Sequence, residues 1–156
     1  YADEGVTIVL MSNASPRGMQ DLAWELGRTL FDPGHEPKLP QPGRVLDGLP
    51  ADAMGDRMRA LSAVIAATGG DDELQAWFKA NFGPGFLNAV PMEQHVRIFK
   101  QLRSDIGAHT IERVEQLAPD EFALRLVSKR SGKAFRLSVQ LRSDDARIAG
   151  LGVEHL

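Results

Sequence analysis

Apolar and polar positions divide this chain into three stretches of different rhythm. The first holds Val6-Thr7-Ile8-Val9-Leu10-Met11, a nearly continuous apolar run closed by Ser12-Asn13-Ala14-Ser15-Pro16. Such a run predicts a strand covered on both faces. Ser15 and Pro16 read as the N-cap and first position of a helix over 16–31. Met19, Leu22, Ala23, Trp24, Leu26 and Leu30 form its apolar stripe, with Trp24 expected in a core. One strand and one helix without neighbouring strands leave backbone edges unsatisfied. The pattern therefore predicts the closing strand and helix of a larger domain, followed by a second, complete one.

The second stretch, residues 32–50, carries Pro33, Pro37, Pro40, Pro42 and Pro50 together with Gly34, Gly43 and Gly48. It predicts a semi-rigid linker and the domain boundary.

The third stretch, 51–156, is helical first and strand-like after. Met54, Met58, Leu61, Val64 and Ile65 predict a helix over about 51–68, ended by Gly69-Gly70. Asp71-Asp72 start another, with Leu74, Trp77 and Phe78 on one side, ending before Gly83-Pro84-Gly85. Phe86, Leu87 and Val90 anchor the connection. Pro91 begins a third, with Met92, His95, Val96, Phe99, Leu102 and Ile106 at helical spacing. Residues 109–117 alternate weakly. Phe122, Leu124 and Leu126, then Phe135, Leu137, Val139 and Leu141, alternate cleanly around a Ser-Gly turn and predict a hairpin. A last strand over 147–154 is expected to place Ala149, Leu151 and Val153 on one face. Three helices followed by a four-stranded antiparallel meander predict an α+β fold.

Composition adds boundaries. The chain has 156 residues and a formal net charge of −3, with no cysteine. Disulfides and thiolate metal sites are excluded. The acidic balance gives no electrostatic footprint for nucleic acid. No apolar run reaches the roughly 20 residues of a membrane span.

Candidate chemistry is sparse. No serine is followed three residues later by lysine, and G-x-S-x-G and H-E-x-x-H are absent. His35, His95, His109 and His155 are scattered, without metal-ligand spacing, so no cofactor is expected. His95 lies in the apolar series of its helix. It is either a core histidine with local hydrogen-bond partners, the favoured alternative, or a polar contact in a cone-shaped pocket. Phe99, Trp77, Phe122 and Phe135 would line that pocket with it. Arg125, Arg136 and Arg142 are expected on the polar face of the hairpin, either as a solvated surface or as a contact for a neighbouring domain or an acidic ligand.

Two stretches resemble known families. Tyr1-Ala2-Asp3-Glu4-Gly5 leading into Val6–Met11 and Ser12-Asn13 resembles the closing strand of β-lactamase-related serine hydrolases, the class C and penicillin-binding-protein group, with Ala2 in place of the usual proline. There an amphipathic C-terminal helix follows. The family's Ser-x-x-Lys nucleophile precedes this strand, so the resemblance implies a parent enzyme whose machinery is not in this sequence. Residues 51–156 resemble cystatin/NTF2-like accessory domains in Phe78–Leu87, Arg97–Gly107 and Arg147–Glu154. This implies helices packed on a curved antiparallel sheet, preceded by a strand-helix remnant of the β-lactamase-like domain. A non-catalytic role follows from the resemblance: docking onto the upstream catalytic domain of the same parent chain, forming a homodimer through the sheet, or shaping substrate access. A periplasmic or secreted setting is implied by the same families. The alternatives are a free-standing small-molecule-binding module, or an isomerase or cyclase with His95 or Asp105 as base. Ketosteroid isomerase and its relatives use a pocket tyrosine, whereas the one tyrosine here is Tyr1, outside that domain.

Overall fold

The computed structural model describes residues 19–32, 34–35 and 43–156, with side chains from residue 24 onward. The chain divides into two compact units, Tyr1–Gln41 and Pro42–Leu156. The strand expected at 6–11 lies outside the described residues. In the first unit, helix α1 spans Met19–Phe31. The carboxylate of Glu25, in the middle of this helix, meets His35 Nε2 at 2.8 Å. Trp24 is 58% exposed and Leu30 65%, so the expected core placement of Trp24 does not hold.

The second unit is α+β. Strand β1 (Arg44–Leu46) is followed by α2 (Ala53–Ala66), α3 (Asp71–Asn81), α4 (Pro84–Ala89) and α5 (Met92–Asp105). Four strands close the chain: β2 (His109–Ala118), β3 (Glu121–Ser128), β4 (Ala134–Leu141) and β5 (Ile148–His155). They form one antiparallel sheet in the order β1-β2-β3-β4-β5. The sheet thus has five strands where the sequence pattern predicts four. The extra one, β1, comes from the predicted linker and pairs with Val114–Gln116. Leu46 and Leu49, both half-buried, pack against the core and hold this proline-flanked segment in place.

Local chemistry accounts for the helix boundaries. Asp52 caps α2 by accepting from the Gly55 amide at 2.9 Å. Gly55 has no alternative there, because a Cβ would stand 1.8 Å from the Pro50 carbonyl oxygen. Asp71, Asp72 and Glu73 fill the first turn of α3, where carboxylates complement the helix dipole. Pro84 opens α4, a short helix within the predicted connection.

The weak alternation of β2 has a structural cause. Register shifts fall between Ile111 and Arg113 and again between Gln116 and Ala118. Each extra residue inverts the facing of the residues after it. A third shift occurs in β5, where Gln140 pairs with Gly150 but Leu141 pairs with Ile148. Ala149, expected on one face with Leu151 and Val153, is the residue left over and is exposed, while Ile148 is buried in the core.

The core lies between the helices and one sheet face. Met58, Leu61 and Ile65 of α2, Leu74 and Phe78 of α3, Phe99 of α5 and Leu124, Leu126, Leu137 and Val139 of the sheet meet there, fully buried or nearly so. Each such side chain contributes about 1.5–3 kcal/mol relative to exposure.

Candidate functional site

The interior is the first place to expect a site, and aromatic rings fill it. Phe78 and Phe82 stack at 5.0 Å, Phe99 meets Phe78 edge-on at 4.8 Å, and Phe86 meets Phe82 at 4.7 Å. Half-buried Trp77 closes the cluster with edge contacts to Phe78 and Phe82. His95 is 4% exposed and packs among Phe78, Phe82 and Phe86, with ring centroids 5.4–6.0 Å away. Its Nε2 lies 3.3 Å from the Leu87 carbonyl. A carbonyl only accepts, so Nε2 carries the hydrogen and the imidazole tethers α5 to α4. The structure therefore brings His95, Phe99 and Trp77 together as core. Phe122 shares that core from β3. Phe135, buried at the start of β4, belongs to the same core cluster, its ring edge-on to His155 at 5.2 Å. Asp105 is exposed at the end of α5 and accepts from the Gln101 amide.

The outer face of the sheet has a different character. Arg113, Arg125 and Arg136 are direct cross-strand partners on β2, β3 and β4, and Glu154 of β5 follows opposite Arg136. Like charges directly opposite one another destabilise a sheet. Two carboxylates offset this row in part. Glu115 takes Arg113 at 2.7 Å and Arg136 at 3.6 Å, and Glu112, the extra residue of the β2 bulge, takes Arg125 at 3.0 Å. Beside the row lie small residues: Ala123, 3% exposed under its long neighbours, then Ser138 and Gly152. The result is a shallow cleft of about 360 Å³ with arginine walls.

Arg142, expected on the polar face with Arg125 and Arg136, is not part of this row. It lies just beyond β4, in the turn to β5, and bonds Asp144 and Asp145. The hydrogen bond from Arg142 holds the Asp144 carboxyl below its usual range.

One polar relay has no signal in the sequence. Ser62 Oγ stands 2.8 Å from His109 Nε2, and His109 Nδ1 stands 2.7 Å from the Gly107 carbonyl. The carbonyl requires hydrogen on Nδ1, so Nε2 accepts from the Ser62 hydroxyl. This is the polarity of a nucleophile-base pair. An acyl-transfer nucleophile also needs donors aimed at the oxyanion. The amides around Ser62 are those of a helix interior, bound to carbonyls one turn back. The relay is a latch from α2 to the start of β2. Ser62 and His109 are 47 positions apart, and no spacing rule connects them.

Among the described residues, no group of three or more potential ligands is placed to hold a metal ion, and no helix is long and apolar enough to cross a membrane. No protein-family model, curated protein or solved structure gives a match to this chain.

Proposed function

We propose that the unit over 42–156 is a non-catalytic accessory domain of the NTF2/cystatin-like kind. It docks onto the catalytic domain of a β-lactamase-related serine hydrolase, upstream in the same parent chain. The parent reaction is acyl transfer from an amide or ester to a serine. The observation that carries the docking role is the row Arg113–Arg125–Arg136, three like charges in register that Glu115 and Glu112 offset only in part. An acidic surface laid against the row would offset the rest and give the contact its specificity. The filled interior supports the same assignment. A binding module or an isomerase of this fold needs open space where Phe78, Phe82, Phe99 and His95 pack.

The test is binding in trans. The region encoded directly upstream of Tyr1 is expected to carry Ser-x-x-Lys, and a protein made from it should bind the 1–156 chain in calorimetry. Arg125→Glu with Arg136→Glu should abolish binding while circular dichroism stays unchanged. An upstream region without Ser-x-x-Lys refutes the parent class. Binding that survives the double substitution refutes the surface. Light scattering of 1–156 alone separates docking from self-association: a dimer broken by the same substitutions would assign the face to a second copy of the chain.

A further inference from the structure

A second polar region lies where the β3–β4 hairpin tip meets the C-terminal end of α5. Two clefts adjoin there. One, of about 500 Å³, lies between the segment after α2, the last turns of α5 and Arg130. The other, of about 540 Å³, lies between α5, the hairpin tip and the end of β5. Ser104 and Arg130 line both.

The charges in these clefts are unbalanced. Arg103 is half-buried and fixed: its Nε donates to the Val64 carbonyl at 2.9 Å and its Nη1 to the Gly69 carbonyl at 2.6 Å. Both partners are neutral, so the geometry is set but the charge is not cancelled. Lys129, Arg130 and Lys133 sit within one turn, and none forms an ion pair with a described residue. Three carboxylates are near, fewer than the cations: Asp71 pairs with Lys100 at 2.6 Å, Asp105 lines the second cleft and accepts from the neutral Gln101 amide, and the Glu73 carboxylate lies beside Gly69. The hairpin tip is built to hold its shape. Gly132, at φ +68°, donates to the Ser128 carbonyl, and Ser131 N donates to Ser128 Oγ. The first cleft has walls of alanine and glycine, which let a ligand reach the backbone. The second has an apolar side made by Phe135 and Val153.

We infer that these joined clefts bind a small organic oxyanion, a phosphate or carboxylate head carrying an apolar group. The head sits between Arg103, Arg130 and the Ser104 hydroxyl, where a fixed guanidinium and an exposed one can both donate to it. The apolar group runs toward Phe135 and Val153, with Lys133 at the far rim. The clefts fall within the size range of small-molecule sites. This site does not depend on the docking role, which uses the outer sheet face.

Amide NMR titrations with phenyl phosphate, benzoate and inorganic phosphate, against sodium chloride at matched ionic strength, test the assignment. Saturable shifts at Gly69, Ser104, Gly107 and Ala108 are expected with at least one of the two aromatic anions, bound more tightly than inorganic phosphate. The aromatic anion that binds identifies the head. Arg130→Ala should weaken binding about tenfold or more, as expected for the loss of a charge-assisted hydrogen bond. Arg125→Ala, on the outer sheet face, should leave it unchanged. Shifts that follow ionic strength alone overturn the inference. So does affinity indifferent to Arg130→Ala, or equally sensitive to Arg125→Ala.

Discussion

Removing the imidazole of His95 separates two contributions that the structure assigns to it. The ring is buried among three phenylalanines and makes one long hydrogen bond, 3.3 Å, to the Leu87 carbonyl. His95→Ala empties the ring's volume in a packed interior and drops the tether. Large-to-small core changes cost about 2–5 kcal/mol, and a neutral hydrogen bond about 1 kcal/mol. A total of about 3–6 kcal/mol follows, or a fall in Tm of roughly 12–25 °C for a domain of this size. His95→Leu keeps most of the volume, adds apolar packing and loses only the tether, so it should cost about 1 kcal/mol or less. Urea unfolding followed by circular dichroism measures both. Two equally mild variants would refute the packing assignment. Two equally severe ones would mean that the bond to Leu87 dominates and that the ring contacts contribute little.

Gly55→Ala should destabilise the second unit by about 3 kcal/mol or more, since the new Cβ meets Pro50 backbone rather than a movable side chain; a loss below about 1 kcal/mol in the same unfolding experiment would contradict the close approach. Arg125→Glu replaces the centre of the arginine row with its opposite charge and should raise stability at low salt by up to about 1 kcal/mol, fading as salt is added. A clear loss of stability would show that the Arg125–Glu112 pair matters more than the like-charge row. The Asp144 carboxyl, held down by its hydrogen bond from Arg142, should titrate by NMR below the ordinary carboxylate range. With the folded value depressed, its stabilising effect is present above the unfolded carboxylate pKa and lost as pH falls through the folded one. Arg142→Gln should return the midpoint to the ordinary range; a wild-type midpoint already there would remove the interaction.

Periodic segments are legible directly in the sequence. The apolar series of α2, α3 and α5 and the alternation of β3 and β4 are single-face patterns, and burial follows them. The features that escape depend on contacts distant in the chain. Arg44–Leu46 is too short to show alternation and is surrounded by proline and glycine, so its strand exists only because β2 offers an edge. The bulges at Glu112 and Ala149 break the period from which facing is inferred. His95 is recognisable as a polar group on an apolar face, but its partner, a carbonyl of α4, is not. Arg125 and Arg136 share the polar face, as their alternation predicts. Arg113 is hidden by the bulge beside it, and Arg142 leaves the polar face because the strand ends one residue earlier.

The position of β1 bears on how the chain is made. Strands β2 to β5 each pair with the neighbour that comes next in the chain, so successive hairpins can form as each strand appears. β1 must instead close a loop of roughly seventy residues across the whole helical layer. A ribosome adding about 5–20 residues per second releases Arg44–Leu46 on the order of ten seconds before Val114–Gln116 exists to receive it. During that interval the segment has no partner of its own. Its three-residue length, its arginine and the prolines on either side keep it a poor template for any other strand. The features that hide β1 from sequence reasoning are thus the ones that let it wait safely during synthesis.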